Sequence, residues 1–313
     1  MKNVVVYITG SFGRLEARYP GSDLDIFFMY KPEVDPAKPE KAARFAELSR
    51  LQWFELIAAV INVGRTLQFA PFSRDGEFLK VHNVYRIGNE LGSRTEDADN
   101  GFTARLLLLL EGRYLVNQVL YDDVLLEVIG FYFRDHPANR EHFRPHALIN
   151  DILRYWRTLC LQYEHQRRSN FEEAGDTEAD ITTFKAESSL ANLKLRYSRL
   201  ALCFSMIAML VGEPEGISPE RVQELCQTIP SERWGRAAAR DASGNAKKLV
   251  PQILADYEQF LTIVEDKTEI LTRLRDPQER ASLRERAGSF GDLVFDLLKL
   301  VAASDEQFRR LVV

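Results

Sequence analysis

From residue 103 almost to its end, the sequence repeats one spacing, with apolar side chains returning every three or four positions. "TARLLLLLEGRYLV", "LYDDVLLEVIGFYF", "HALINDILRYWRTLCLQYE" and "SLANLKLRYSRLALCFSMIAMLVG" all carry it, as do two later segments around 250–275 and 290–312. That period belongs to helices, whereas strands alternate every second residue, so about two thirds of the chain is expected to fold as a helical array. One interruption stands out. Residues 165–180 ("HQRRSNFEEAGDTEAD") are charged and poor in apolar side chains, which predicts a solvated or mobile loop between two helices.

The first hundred residues read differently. Residues 3–8 and 24–30 (LDIFFMY) are rich in β-branched and aromatic side chains and predict two buried strands, with Gly10, Gly13 and Pro20-Gly21 forcing a turn between them. A proline-punctuated connection over 31–39 leads into an amphipathic pattern over 40–66. Phe45, Leu48, Leu56, Ala59, Val60 and Val63 lie on one side of it, with Trp53 at the margin. Asp75-Gly76 signals a turn before "EFLKVHNV" (77–84), a candidate third strand. A chain of 313 residues accommodates a small lobe mixing strands and helices over 1–100 and a larger helical lobe over 101–313.

Composition narrows the function classes. The longest unbroken apolar run, Leu106 to Leu110, falls far short of the roughly 20 residues a membrane helix needs, and Thr9, Gly10 and Ser11 end the opening Val4-Val5-Val6 run too early for a secretory signal. Three unclustered cysteines, Cys160, Cys203 and Cys226, suit a reducing compartment, so a cytoplasmic protein without a membrane partner is expected. A net charge of −5 argues against nucleic-acid binding by bulk electrostatics and leaves a local basic cleft open.

Chemistry concentrates in "GSFGRLEARYPGSDLDIFF" (10–28). Asp23 and Asp25 are two apart on an expected strand, so both project to one face, where two carboxylates call for a cation. Paired carboxylates suit Mg²⁺, which takes one or two of them and completes its shell with water and substrate phosphates. A glycine turn lets backbone N–H groups approach an anion, so Gly10 and Ser11 suit phosphate. Each element alone is common as a surface turn or a solvated strand end; the two on consecutive strands, in this order, point to phosphoryl transfer.

This stretch resembles the signature of the polymerase-β-like nucleotidyltransferase superfamily, Gly-Ser followed by Asp-h-Asp-h (h, hydrophobic). Gly13-Arg14, Glu16 and Ser22 bring it close to the branch of bacterial uridylyltransferases that modify the PII signalling protein, and "FTARLLLLLEGRYLVNQVLYDDVLLEVIGFYF" resembles the helical segment trailing the core in that branch. The resemblance implies an α+β fold, a small mixed β-sheet core with flanking helices followed by an all-helical lobe. It implies that Gly10 and Ser11 bind a nucleoside triphosphate and that Asp23 and Asp25 coordinate two Mg²⁺, with Mn²⁺ as a substitute. Arg14 and Glu16 are expected to brace the turn, with Arg14 in reach of a phosphate. Lys194, from the helical lobe, is expected on the triphosphate, and Ser198 with it: the two stand at i and i+4 beside an apolar stripe of Leu190, Leu193, Tyr197, Leu200 and Ala201.

Superfamily members also present a third carboxylate on a later strand. Within "EFLKVHNV", Glu77, Leu79 and Val81 share one face, while Phe78, Lys80 and His82 share the other. Glu77 serves as third ligand if a turn or bulge re-aims the strand's start, with Asp97 and Asp99 as further candidates. If Leu79 and Val81 pack on helices instead, the face left carries Lys80 and His82, and His82 is the candidate base. The expected activity is template-independent transfer of a nucleoside monophosphate from an NTP or dNTP to a hydroxyl, with release of pyrophosphate. A nucleotide or oligonucleotide acceptor is favoured, in signal synthesis or antiviral defence and with an operon-encoded partner. Nucleotidylation of a protein side chain and a nucleotide-binding regulatory module without catalysis are the alternatives.

Overall fold

The structure is a computed structural model that describes residues 2–18, 22–33, 46–70, 72, 76, 79–138, 140–141, 143–173, 175, 177–213, 216–302, 309 and 311. The chain forms two compact units, residues 1–143 with 217–229, and residues 144–216 with 230–313. The boundary expected between 100 and 101 therefore falls inside the first unit, because the sheet recruits a strand from beyond it.

The first unit runs β1 (Val4–Ile8), α1 (Gly10–Gly13), β2 (Ile26–Tyr30), α2 (Arg50–Thr66), β3 (Val81–Asn83), α3 (Val84–Asn89), α4 (Thr95–Ala98), α5 (Gly101–Glu111), β4 (Arg113–Val116) and α6 (Gln118–Gly130). These strands form one mixed sheet in the order β3-β2-β1-β4. β1 is antiparallel to β2, with Val4 opposite Tyr30 and Ile8 opposite Ile26, and antiparallel to β4 on its other side. β2 and β3 are parallel, so the chain must cross over between them, and α2 lies in that crossover.

Alternation sorts the sheet's side chains. Val4, Val6, Ile26, Phe28 and Leu79 form a core with Leu56 of α2, flanked by Ile57, Val60, Ile61 and Val81. Tyr7 projects the other way, stacking on Phe27 with ring centroids 5.8 Å apart, and its hydroxyl donates to the Ala104 carbonyl of α5 at 3.1 Å. Nearly all of α5 is buried, as its run of five leucines requires.

Three expectations shift. α2 starts at Arg50, where the Ser49 hydroxyl accepts from the Gln52 N–H at 3.3 Å, and the start of the expected helix, with Phe45, lies outside the described residues. Ala59 and Val63 are exposed, because the sheet takes Leu56, Ile57, Val60 and Ile61 instead. The helix expected through "LLLLLEGRYLV" stops at Glu111: Gly112 is extended (φ −67°, ψ 137°) and a Cβ there would meet the Leu108 carbonyl at 2.7 Å, so residues 113–116 leave as β4.

The second unit is helical: α7 (His146–Glu173), α8 (Glu178–Lys194), a π-helical turn (Leu195–Arg199), α9 (Leu200–Val211), α11 (Pro230–Ala238), α12 (Asn245–Ile263), α13 (Lys267–Arg273) and α14 (Pro277–Val301). α10 (Pro219–Cys226) belongs to the first unit, where Gln223 donates to the Asp122 carbonyl of α6 at 2.7 Å. α9 is buried along almost its whole length, and Tyr197 stacks on Phe260 at 4.5 Å and meets Phe290 in a tilted contact at 4.7 Å. Most of the loop expected over 165–180 is helix. Its charges pair along the helix, Arg167 with Glu164 and Arg168 with Glu172, while Phe171 meets Phe184 of α8 at 5.5 Å. Among the described residues no helix is long and apolar enough to cross a membrane.

Candidate active site

The break after β1 is built by backbone geometry. Thr9 is still extended, and its N–H donates to the Asp25 carbonyl at 2.9 Å, carrying the β1–β2 ladder one pair past Ile8 and Ile26. Gly10 then turns to φ +66°, a left-handed conformation that costs an L-residue about 1–2 kcal/mol. A Cβ at Gly10 would also overlap the carboxylate of Asp25. Glycine is favoured on both counts, and the outcome is a carboxylate lying directly on the backbone of the Gly-Ser turn. Asp23 is exposed two residues before Asp25, and Ser11 is half-buried in the first turn of α1. Among the described residues, the N–H groups of Ser11 and Phe12 have no hydrogen-bond acceptor, whereas Gly13 and Arg14 donate to the Thr9 and Gly10 carbonyls, both at 3.1 Å.

The turn rests on charged groups. Arg14 is buried, with its Nε donating to Glu16 Oε2 at 2.7 Å and its NH1 to Glu111 Oε2. Glu111 Oε1 accepts the Gly10 N–H at 3.0 Å. The contacts of Arg14 with Glu16 and Glu111 are those of a brace for the turn. Gly10's N–H is likewise taken, which leaves Ser11 and Phe12 as the turn's open donors. Glu111 is the residue that sequence reasoning missed, and nothing in "LLLLLEG" distinguishes it from an ordinary helix end.

On β3 the outcome is different. Leu79 and Val81 join the core beneath α2, so Lys80 and His82 take the alternate positions, as one branch of the sequence reading anticipates. Lys80 is exposed. His82 is buried beside Met29, its partner on β2, and its pKa is lowered to about 4, first by burial and then by the charge of Lys80, with Asp99 opposing. A neutral, inward-facing imidazole of such low basicity is a poor base for an acceptor hydroxyl near pH 7, so the expectation that His82 serves as the base finds no support in its surroundings. Glu77 lies outside the described residues. Asp97 is exposed on α4, and Asp99 pairs with Arg86.

Lys194 and Ser198 belong to the second unit. Lys194 is exposed at the end of α8, while Ser198 is buried in the π-helical turn, next to Tyr197. The wider turn of a π-helix alters the i, i+4 relation on which a shared face depended.

Among the described residues no group of three or more His, Cys, Asp or Glu side chains is placed to hold a metal. Asp25 offers a hard carboxylate at a backbone cradle that a Cβ would fill, and Asp23 an exposed one two residues earlier; both precede the start of β2 at Ile26, so the strand does not fix them on one face, and the donors fit Mg²⁺ completing its shell with water and phosphate. Two hollows lie elsewhere. One of about 550 Å³ runs beside α3 and α6, lined by Tyr85, Asn89, Glu127, Phe131 and Arg134. Another of about 580 Å³ lies between α7 and α8, lined by Glu164, His165, Arg168, Phe171 and Phe184. Neither is lined by an expected site residue, so the candidate site rests on the convergence of Gly10, Ser11 and Asp25. Comparison of the chain with protein-family models, with curated proteins and with solved structures found no match.

Proposed function

We propose that the chain is a metal-dependent, template-independent nucleotidyltransferase. The observation that carries this reading is the seating of the Asp25 carboxylate on Gly10, which brings one acid of the pair onto the glycine turn. The Ser11 hydroxyl and the N–H groups of Ser11 and Phe12 would donate to phosphate oxygens, and Asp23 and Asp25 would hold Mg²⁺ or Mn²⁺. The bound ion would neutralise charge developing on the phosphates and leaving pyrophosphate. An acceptor hydroxyl then attacks the α-phosphorus: an oxygen–phosphorus bond forms, the bond to pyrophosphate breaks, and the acceptor's proton is released. A nucleotide or oligonucleotide acceptor is favoured.

The test is purified protein with Mg²⁺ or Mn²⁺ and each α-labelled ribo- and deoxyribonucleoside triphosphate, with nucleotide and oligonucleotide acceptors. Labelled product with matching pyrophosphate is expected, and Asp23→Ala combined with Asp25→Ala is expected to abolish both. Activity surviving in that double variant sinks the assignment.

One observation favours a second reading, a nucleotide-binding module without catalysis. Among the described residues no third acid joins Asp23 and Asp25, and His82 faces inward in neutral form. Metal-dependent nucleotide binding without turnover on any acceptor would select it.

A further inference from the structure

Glu111 shows no exposed side-chain surface, and a buried carboxylate is costly unless its oxygens are satisfied. Both oxygens are spent on the turn: Oε1 on the Gly10 N–H and Oε2 on Arg14, which also holds Glu16. The main chain continues the contact. A Cβ at Gly13 would overlap the Glu111 carbonyl, so the missing side chain lets α5 press on the turn, and Arg113 Nε donates to the Gly13 carbonyl at 2.6 Å. Residues 111 and 113 thus hold the turn at its entry, its exit and its guanidinium. Because Asp25 lies on Gly10, a displacement of Gly10 moves Ser11 and changes the spacing between the turn and the Asp25 carboxylate.

We infer that Glu111 is a positioning residue: it fixes the Gly10–Gly13 turn against Asp25 and so sets the geometry in which the phosphates and the metal are received. The inference rests on the nucleotidyl-transfer reading for its ligand and on the turn contacts alone for its mechanics. A matched control lies in the same unit. Glu96 pairs with Arg105 at 2.9 Å, both fully buried, and Arg105 also donates to the Tyr132 hydroxyl at 2.7 Å.

The experiment compares Glu111→Gln, Arg113→Gln and Glu96→Gln in the full chain by hydrogen exchange of the segment spanning residues 10–16, by titration with ATP plus Mg²⁺ and by thermal unfolding. Glutamine at 111 still accepts from the Gly10 N–H through its carbonyl but turns an N–H toward Arg14. Loss of one charged, buried hydrogen bond is worth about tenfold or more, so Glu111→Gln is expected to speed exchange in the turn and weaken ATP binding by about that factor. Arg113→Gln, only partly buried, is expected to act in the same direction by about threefold and serves if Glu111→Gln does not fold. Glu96→Gln is expected to lower the melting temperature while leaving turn exchange and ATP binding within about twofold. Unchanged turn exchange in Glu111→Gln and Arg113→Gln overturns the brace. Faster exchange with wild-type ATP affinity overturns the positioning role, as does a loss of ATP binding in Glu96→Gln equal to that in Glu111→Gln. If the wild-type chain binds no nucleoside triphosphate with Mg²⁺, the nucleotidyl-transfer reading fails, and the exchange data still decide whether Glu111 holds the turn.

Discussion

At the β1–β2 end of the sheet, Ser11, Asp23 and Asp25 stay at or near the surface, and a glycine lets one carboxylate settle on the backbone. One strand away, Lys80 just before β3 reaches solvent while His82 on β3 is folded under beside Met29 and held neutral. Both stretches carry ionisable groups at alternating positions, and both read as candidate chemistry. They part because the first has a turn without side-chain bulk and a buried ionic support, whereas the second alternates with residues the core demands. Backbone shape, more than residue type, separates a candidate site from a polar residue caught in packing.

The largest effect is expected where that shape is least tolerant. Gly10→Ala places a methyl group against Asp25 in a left-handed conformation; kcat/KM for nucleotidyl transfer is expected to fall at least about 100-fold, with about 1–2 kcal/mol lost in urea unfolding. Full activity in this variant would erase the distinction between the two ends. On the β3 side, the contrast is sharpened by pH. Above about 6.5 the imidazole is neutral folded and unfolded; as pH falls, the unfolded chain takes up a proton that His82 refuses until about 4. Stability therefore declines between those values and levels off below them, by about 3 kcal/mol from this group, and His82→Gln is expected to remove that part of the slope in unfolding measured from pH 7 to 4. An unchanged slope would mean that the imidazole is not held neutral.

Smaller changes refine the picture. Ser11→Ala is expected to raise KM for the triphosphate by about tenfold with little change in kcat, as loss of a ground-state hydrogen bond does. Lys80→Ala removes a charge that depresses His82, so NMR titration of the imidazole is expected to move upward while stability stays within about 0.5 kcal/mol. A downward movement would contradict the placement of Lys80.

Local features were legible in the sequence. β1 and β2 announce themselves by composition, and the glycine turn and the aspartates lie within 16 residues of each other, from Gly10 to Asp25. What escaped depends on distance or competition. "RYLV" is apolar enough to extend a helix, and only Gly112 and pairing with β1 turn it into β4. The stretch from His165 to Glu173 looks like a loop by charge, yet its charges stand three and four apart and pair along α7. Glu111 is invisible because its meaning lies in residues about a hundred positions earlier.

That separation has a consequence for synthesis. A nascent chain presents Gly10, Ser11, Asp23 and Asp25 long before Glu111 and Arg113 exist, so the motif lacks its long-range support until α5 and the start of β4 have emerged. A fragment ending at residue 100 would hold every residue of the motif and its local bonds, without the buried carboxylate that joins Gly10 to Arg14.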